Sequence, residues 1–494
     1  MARSIPTIDS DNRRWFTLGA MCFALFMVML DNTVVNIALP AIQTRFDATL
    51  SNLSWAVNAY TLVFGVLLVT GGRLGDVFGR KRMFIGGIVV FTLGSIGAGL
   101  SQSINELIFF RGLQGAGAAF LMPGSLSIIT NTFKGSERGR ALGLWAGISG
   151  LALGMGPVVG GVLVEKAGWE WIFFLNVPVA MIAIPVTMYA VKESRDETAA
   201  RRIDWVGILT LSLGLGLLLL AVVQANDYGW TSTRTLTEFA IAAVGLVAFG
   251  ISQWKQSEPM LDLNFFRDRN FNAGNITAFL VTFSMFATFF FVTIYMQRSM
   301  GLSPIETGVR FLPMTILIIV AAPIAGRASD KYGSRWLLAT GMSLVAASLF
   351  LESRITDSSG YLTLLPAFIL GGIGIGMTMS PMTALVMGSV DRAKAGAASG
   401  VLSMTRMVGG AFGVASLTAV FDQIAANRAG SGHDPHDVFI YALSNTLLLS
   451  AAIALLGAVV AAIFVRTHHA EPEPAGSPEV AISAEPAISE VAGD

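Results

Sequence analysis

Apolar runs of about twenty residues recur along this chain roughly fourteen times, a length that as a helix spans the hydrocarbon core of a bilayer. They lie near 15–39, 52–72, 83–101, 106–130, 139–163, 171–191, 205–224, 236–254, 271–297, 305–325, 335–353, 361–389, 398–422 and 438–465. Lipid offers backbone groups no hydrogen-bonding partner, and the runs are too long for barrel strands, so an all-α integral membrane protein is expected. Composition agrees: charged residues are only 13% of the chain and mean hydropathy is +0.66, against about 25% charged for an ordinary soluble chain.

Charge placement orients the stack. With a cytoplasmic N-terminus, the outside loops carry only Arg45, Lys166, Arg234, Arg298, Arg354 and Arg428; Arg111, Arg310 and Arg406 fall within runs, and every other Lys or Arg falls inside. That asymmetry is the positive-inside pattern, and it places both termini in the cytoplasm. Arg13-Arg14-Trp15-Phe16 looks like a twin-arginine export signal, but the run after it is too long and lacks a small-residue cleavage site, so it reads as an uncleaved first helix. Residues 467–494, rich in Ala, Pro and Glu, read as a disordered tail.

Several chemistries find no support. Lys+Arg and Asp+Glu are equal at 32 each, which gives no basic excess for nucleic acid. The single Cys22 excludes an intramolecular disulfide, and the four histidines lie in a loop or the tail, away from any intramembrane metal site. There is no Gly-Lys-Ser/Thr phosphate loop and no convincing nucleophile and base set, so no cofactor and no enzymatic activity are expected.

Two loops repeat a pattern. GRLGDVFGRKR (72–82) and GRASDKYGSR (326–335) place Gly, Asp and Gly at the same intervals, which implies an internal repeat. The first loop resembles the signature loop of the major facilitator superfamily. On that resemblance Gly72, Asp76, Gly79 and Arg80 form a breakable cytoplasmic latch; a topology signal alone explains the basic residues but not the Gly, Asp, Gly spacing. LIFFRGLQGAGAA (107–119) is similar to a second superfamily motif, which turns Arg111 and Gln114 inward and implicates the arginine in proton transfer. Snorkelling is the alternative, since Arg111 starts roughly 8 Å from the outer end of its run.

The run GLWAGISGLALGMGPVVGGVL (143–163) repeats glycine at four-residue intervals, and Pro157 predicts a kink. Its ending, Gly156, Pro157, Gly160 and Gly161, resembles the motif of antiporters in this superfamily, and the direction of transport comes from that resemblance. LDNTVVNIALP (30–40) and GWEWIFFLNVPVA (168–180) resemble patterns of the fourteen-span drug:proton antiporters, with Trp169-Glu170-Trp171 where that family has Trp-Arg-Trp. The resemblance implies two six-helix bundles, 15–191 and 257–466, flanking an inserted pair within 192–256, with 1–14 cytoplasmic. It also implies a monomer in the plasma or inner membrane.

Asp31 sits roughly 12 Å from the outer end of its run, at a depth similar to Arg111. Burial opposes its charge and a nearby guanidinium favours it, the opposing pulls a carboxylate needs to bind and release a proton as access changes. A structural carboxylate satisfied by Asn32, Asn36 or a partner helix is the alternative. Asn32, Asn36, Gln114, Phe283 and Arg406 are candidates for lining a substrate cavity. The expected function is proton-driven export of amphipathic small molecules by alternating access. An exporter dedicated to one natural product or lipid shares every motif, and a non-transporting receptor is the reading from another class.

Overall fold

The computed structural model describes residues 10–133, 136–195, 204–256, 263–356, 359–390, 395–430 and 433–466, together with 259 and 261. The helices are α1 (Ser10–Phe46), α2 (Leu50–Phe78), α3 (Arg80–Gly99), α4 (Ile104–Thr132), α5 (Ser136–Lys166), α6 (Trp171–Phe174), α7 (Asn176–Ala190), α8 (Trp205–Tyr228), α9 (Thr233–Lys255), α10 (Arg269–Arg298), α11 (Pro304–Tyr332), α12 (Ser334–Glu352), α13 (Tyr361–Gly388), α14 (Ala395–Ala429) and α15 (Pro435–Phe464). Among the described residues thirteen segments are long and apolar enough to cross a membrane, with α6 and α7 sharing one of them. The 31-residue α5 lies alongside these thirteen. The proposed tail 467–494 lies outside the described residues.

Local chemistry sets the helix starts. Thr49, Ser103, Asp204, Ser232, Asp268 and Ser303 each accept an N–H of the first turn, and Ser303 with Glu306 completes a capping box. The two repeated loops share one device. Gly79 (φ +113°) and Gly333 (φ +78°) each end one helix and start the next, in a backbone region that disfavours side chains.

The repeat extends to packing. In the first half α1 packs on α5, α2 and α3 on α4, and α3 on α7; in the second, α10 packs on α14, α11 and α12 on α13, and α12 on α15. These are two equivalent six-span bundles, with α8 and α9 inserted between them in sequence. Short turns make successive spans antiparallel, so the molecule has a near face, where α1 begins, and a far face, where α1 ends.

The bundles meet along α2 with α14 and α5 with α11. Glycines permit both approaches: a Cβ on Gly65 would lie 2.9 Å from Met407 Cβ, and one on Gly161 would lie 2.5 Å from the Pro304 carbonyl oxygen. The inserted pair covers the first seam, where Leu219 and Val222 of α8 join Leu62 and Val66 of α2 and Ala411 and Ala415 of α14 in one buried cluster.

Candidate functional site

A buried polar cluster lies inside the first bundle, around Asp31 and Arg111. Arg111 of α4 donates to Asp31 Oδ2 of α1 at 2.5 Å, to Gln114 Oε1 at 2.9 Å and to the Ala56 carbonyl of α2 at 3.0 Å. The other carboxylate oxygen of Asp31 accepts from Gln114 at 3.1 Å and from Asn176 of α7 at 3.2 Å. Both of these amides also donate to Ser95 of α3, at 2.7 and 3.0 Å. The guanidinium lies 4.4 Å from the centre of the Tyr60 ring, and the Tyr60 hydroxyl donates to the Val28 carbonyl.

Asp31 and Arg111 are each 1% exposed, so snorkelling is not what Arg111 does. An ion pair this deep persists because its remaining hydrogen-bonding capacity is met by neutral donors and acceptors. Asp31 is satisfied by other helices, not by its neighbours: Asn36 donates to backbone carbonyls of its own helix, and Asn32 reaches only Met407 Sδ, at 4.0 Å. Chemically, the cluster is an ion pair whose hydrogen bonds tie α1, α3, α4 and α7 together. Sequence reasoning missed Ser95, Asn176 and Tyr60. Asn176 lies inside GWEWIFFLNVPVA (168–180), and a lone amide within the apolar run 171–191 was the available signal.

The other candidates separate. Gln114 belongs to this cluster. Phe283 is buried where α10 meets α14, its backbone filling the space beside Gly413. Arg406, half-buried on α14, donates to Met379 Sδ of α13 at 3.0 Å. The structure does not bring Phe283 or Arg406 to the Asp31 cluster.

The signature loop is organised by a residue sequence reasoning did not single out. Glu193, following α7, accepts the Lys81 N–H at 3.1 Å and lies 3.8 Å from Arg82, while Arg80 N–H donates to the Ser194 carbonyl. A carboxylate at the start of α3 compensates its free N–H groups. A Cβ on Gly79 would lie 2.7 Å from Glu193, and one on Gly72 would meet Pro123 at 3.4 Å. The Asp76 side chain lies outside the described residues.

On α5, a Cβ on Gly156 would collide with the Thr33 hydroxyl, and one on Gly160 would lie 2.9 Å from Val34. Pro157 and Gly161 face the other bundle: the Pro157 carbonyl fills the space beside Gly308 of α11. Hydrogen bonds reinforce this closure of the far face, from Ile305 N–H to Glu165 at 3.2 Å and from Gln297 to the Ile37 carbonyl at 3.0 Å. The antiporter-like motif is thus divided between packing within its own bundle and closure against the second.

Comparison with known proteins agrees with this architecture. The Major Facilitator Superfamily matches residues 21–414 and 276–493. The tetracenomycin C resistance and export protein of Streptomyces glaucescens is 36% identical over 86% of this chain and 78% of its own. The puromycin resistance protein pur8 of Streptomyces alboniger is 34% identical over 95% of both chains. The multidrug resistance protein Stp of Mycobacterium tuberculosis (strain CDC 1551 / Oshkosh) is 34% identical over 82% of this chain and 75% of its own. Among solved structures, a peptide transporter POT mutant in complex with sulfate shares the fold at TM-score 0.65 and 14% identity, covering 91% of this chain and 98% of its own. A bacterial homolog of the human lysosomal transporter Spinster, inward-facing and occupied, shares it at TM-score 0.62 and 16% identity, covering 91% and 96%. This multi-pass chain belongs to the major facilitator superfamily and is a transporter, not an enzyme.

Proposed function

We propose that this chain is a secondary active exporter that exchanges protons for amphipathic small molecules by alternating access between bundles 15–191 and 257–466. The observation that carries the reading is the buried Asp31–Arg111 pair, held by Gln114, Asn176 and Ser95. A proton on Asp31 removes the charge that Arg111 compensates and leaves the guanidinium to Gln114, the Ala56 carbonyl and the Tyr60 ring. Loosening α1 from α4 reaches the seam between bundles, because α1 also carries Ile37, the acceptor of Gln297. The near face is cytoplasmic in this reading, following the positive-inside pattern, so closure at the far face leaves cargo to enter from the cytoplasm. The protein works as a monomer in the plasma or inner membrane, with the loop at Gly72, Asp76, Gly79 and Arg80 acting as its cytoplasmic latch.

The test is substrate-induced collapse of an imposed pH gradient in proteoliposomes. Asp31→Asn is expected to abolish coupled transport while retaining fold, because the amide keeps the shape but cannot cycle a proton; full coupled transport by that variant would make the carboxylate structural. A second reading, export of one natural product, is favoured by relatives named for single antibiotics. A susceptibility panel in a host lacking its own exporters separates the two.

A further inference from the structure

A second carboxyl group is as deeply buried as Asp31 and, among the described residues, is in no ion pair. Glu352, the last residue of α12, is 1% exposed although its position at the end of an apolar run marks it as a surface residue. Among the described residues no ion pair reaches it, and its Oε2 atom has no hydrogen-bond partner. Among the described residues the charged and titratable groups on surrounding elements contact other groups, with the buried Nη1 atom of Arg310 on α11 left without a hydrogen-bond partner. Arg298 of α10 lies over Phe439, Tyr295 donates to the Thr356 and Ser359 carbonyls, and Asp437 of α15 pairs with Arg428. Tyr361 of α13 donates to the Arg310 carbonyl, Arg310 lies over the Tyr361 ring, and Arg354 lies over Phe350.

Two hydroxyls face the carboxyl group, Ser348 and Thr288. Each has one proton. The Ser348 oxygen lies 2.7 Å from the Ala367 carbonyl oxygen and 3.2 Å from Glu352 Oε1; the Thr288 hydroxyl donates to the Ser284 carbonyl at 3.1 Å. Backbone carbonyls can only accept, so the shorter contact of Ser348 takes its proton and leaves its oxygen as an acceptor toward Glu352. The carboxyl group is then the donor, which requires it to be the neutral acid.

Glu352 lies at the far-face end of α12, and α10, which carries Thr288, also carries Gln297, whose amide reaches the first bundle at Ile37. We infer that Glu352 is a proton-binding site of the second bundle, occupied while the far face is closed and emptied to water when that face opens. The carboxyl O–H bond breaks with its electron pair left on the carboxylate, entering water takes the proton as hydronium, and the resulting carboxylate resists reclosure until water on that face returns a proton. The site is separate from the Asp31 cluster, and its use in transport rests on the proposed alternating access.

Two measurements on the full-length protein test it. The infrared spectrum of the purified parent minus that of Glu352→Gln at neutral pH is expected to show one protonated-carboxyl C=O band that shifts in heavy water; no such band overturns the inference, whether or not the parent transports anything. In proteoliposomes, Glu352→Gln is expected to leave the proton count per substrate unchanged, because a site that gives up and regains its proton at one face carries none across, and to remove the part of far-face accessibility to added thiol reagents that rises with pH in the parent. A pH dependence of that accessibility in the variant equal to the parent's also overturns it. Glutamine has the shape of the neutral acid, so the variant is expected to melt with the parent, and Glu352→Asp is expected to restore the band.

Discussion

At the scale of single residues, Asp31 is held by three side chains from two other helices, Arg111, Gln114 and Asn176, and the last can be removed without touching the ion pair. Asn176→Ala strips one donor from Asp31 Oδ1 and one from Ser95, which costs about 1–3 kcal/mol for a buried group left short of partners. The expected outcome is a lower melting temperature in detergent together with weakened coupling in the pH-gradient assay; loss of stability alone would make Asn176 a scaffold residue. Charge arithmetic gives a second expectation. Arg111 already offsets Asp31, so little negative charge remains there for cargo, and neutral or singly charged amphipathic compounds are expected to be exported better than dications in a matched flux series. Asp31 and Arg111 were legible in the sequence because ionisable residues inside apolar runs stand out against lipid. Ser95 and Asn176 were not, since one hydroxyl or amide in a helix carries no mark of which neighbour it will meet. Glu352 was hidden for the opposite reason: a run's end predicts exposure, and only packing against α10 and α13 buries it.

Helices bring other tests. Along α5, Gly160 and Gly161 differ in which bundle they meet, so their substitutions should differ in kind. Gly160→Leu strikes Val34 within the same bundle and is expected to lower the melting temperature. Gly161→Ala places its methyl 2.5 Å from the Pro304 carbonyl oxygen of the other bundle, and is expected to shift the molecule toward an open far face with little loss of stability. Labelling of cysteines introduced beside that seam reads the shift. Between α8 and α9, Asp204 accepts from Gly207 N–H, from Gln253 and from Gln256, and Gln253 in turn accepts the N–H of Leu261. Asp204→Ala removes a helix cap worth about 1 kcal/mol and the anchor of that turn. Faster hydrogen exchange near residues 253–261 is the expected readout. Span lengths and the repeated Gly, Asp, Gly loops were readable because lipid and turn chemistry act locally. The clamp was not, because its partners lie about fifty residues apart, at either end of the helix pair.

For the whole molecule, the far face closes partly through a carboxylate that water can reach. The Ser303 hydroxyl and then the Ile305 N–H hold the Glu165 carboxyl below its ordinary range near 4.5. A carboxyl stabilised as its anion supports the closed face above that ordinary value, and the support is lost as pH falls through the lowered one. Through Glu165, acidification of the far side is therefore expected to favour opening, opposite in sign to the reclosure that protonated Glu352 permits; in a Glu352→Gln background, Glu165→Gln is expected to remove the response, and identical accessibility of the two chains across the pH range would count against it. The two bundles themselves could be anticipated from the loop repeat, whereas which surfaces meet could not, because both seams are made of small residues that also pack within bundles. The seams are nonetheless unequal. Helix α8 lies across the one between α2 and α14, while α5 and α11 meet without an inserted helix between them. A lipophilic compound dissolved in the bilayer thus finds one of two side doors blocked, so lateral entry from the membrane, as distinct from entry through water, is confined to a single flank of the transporter.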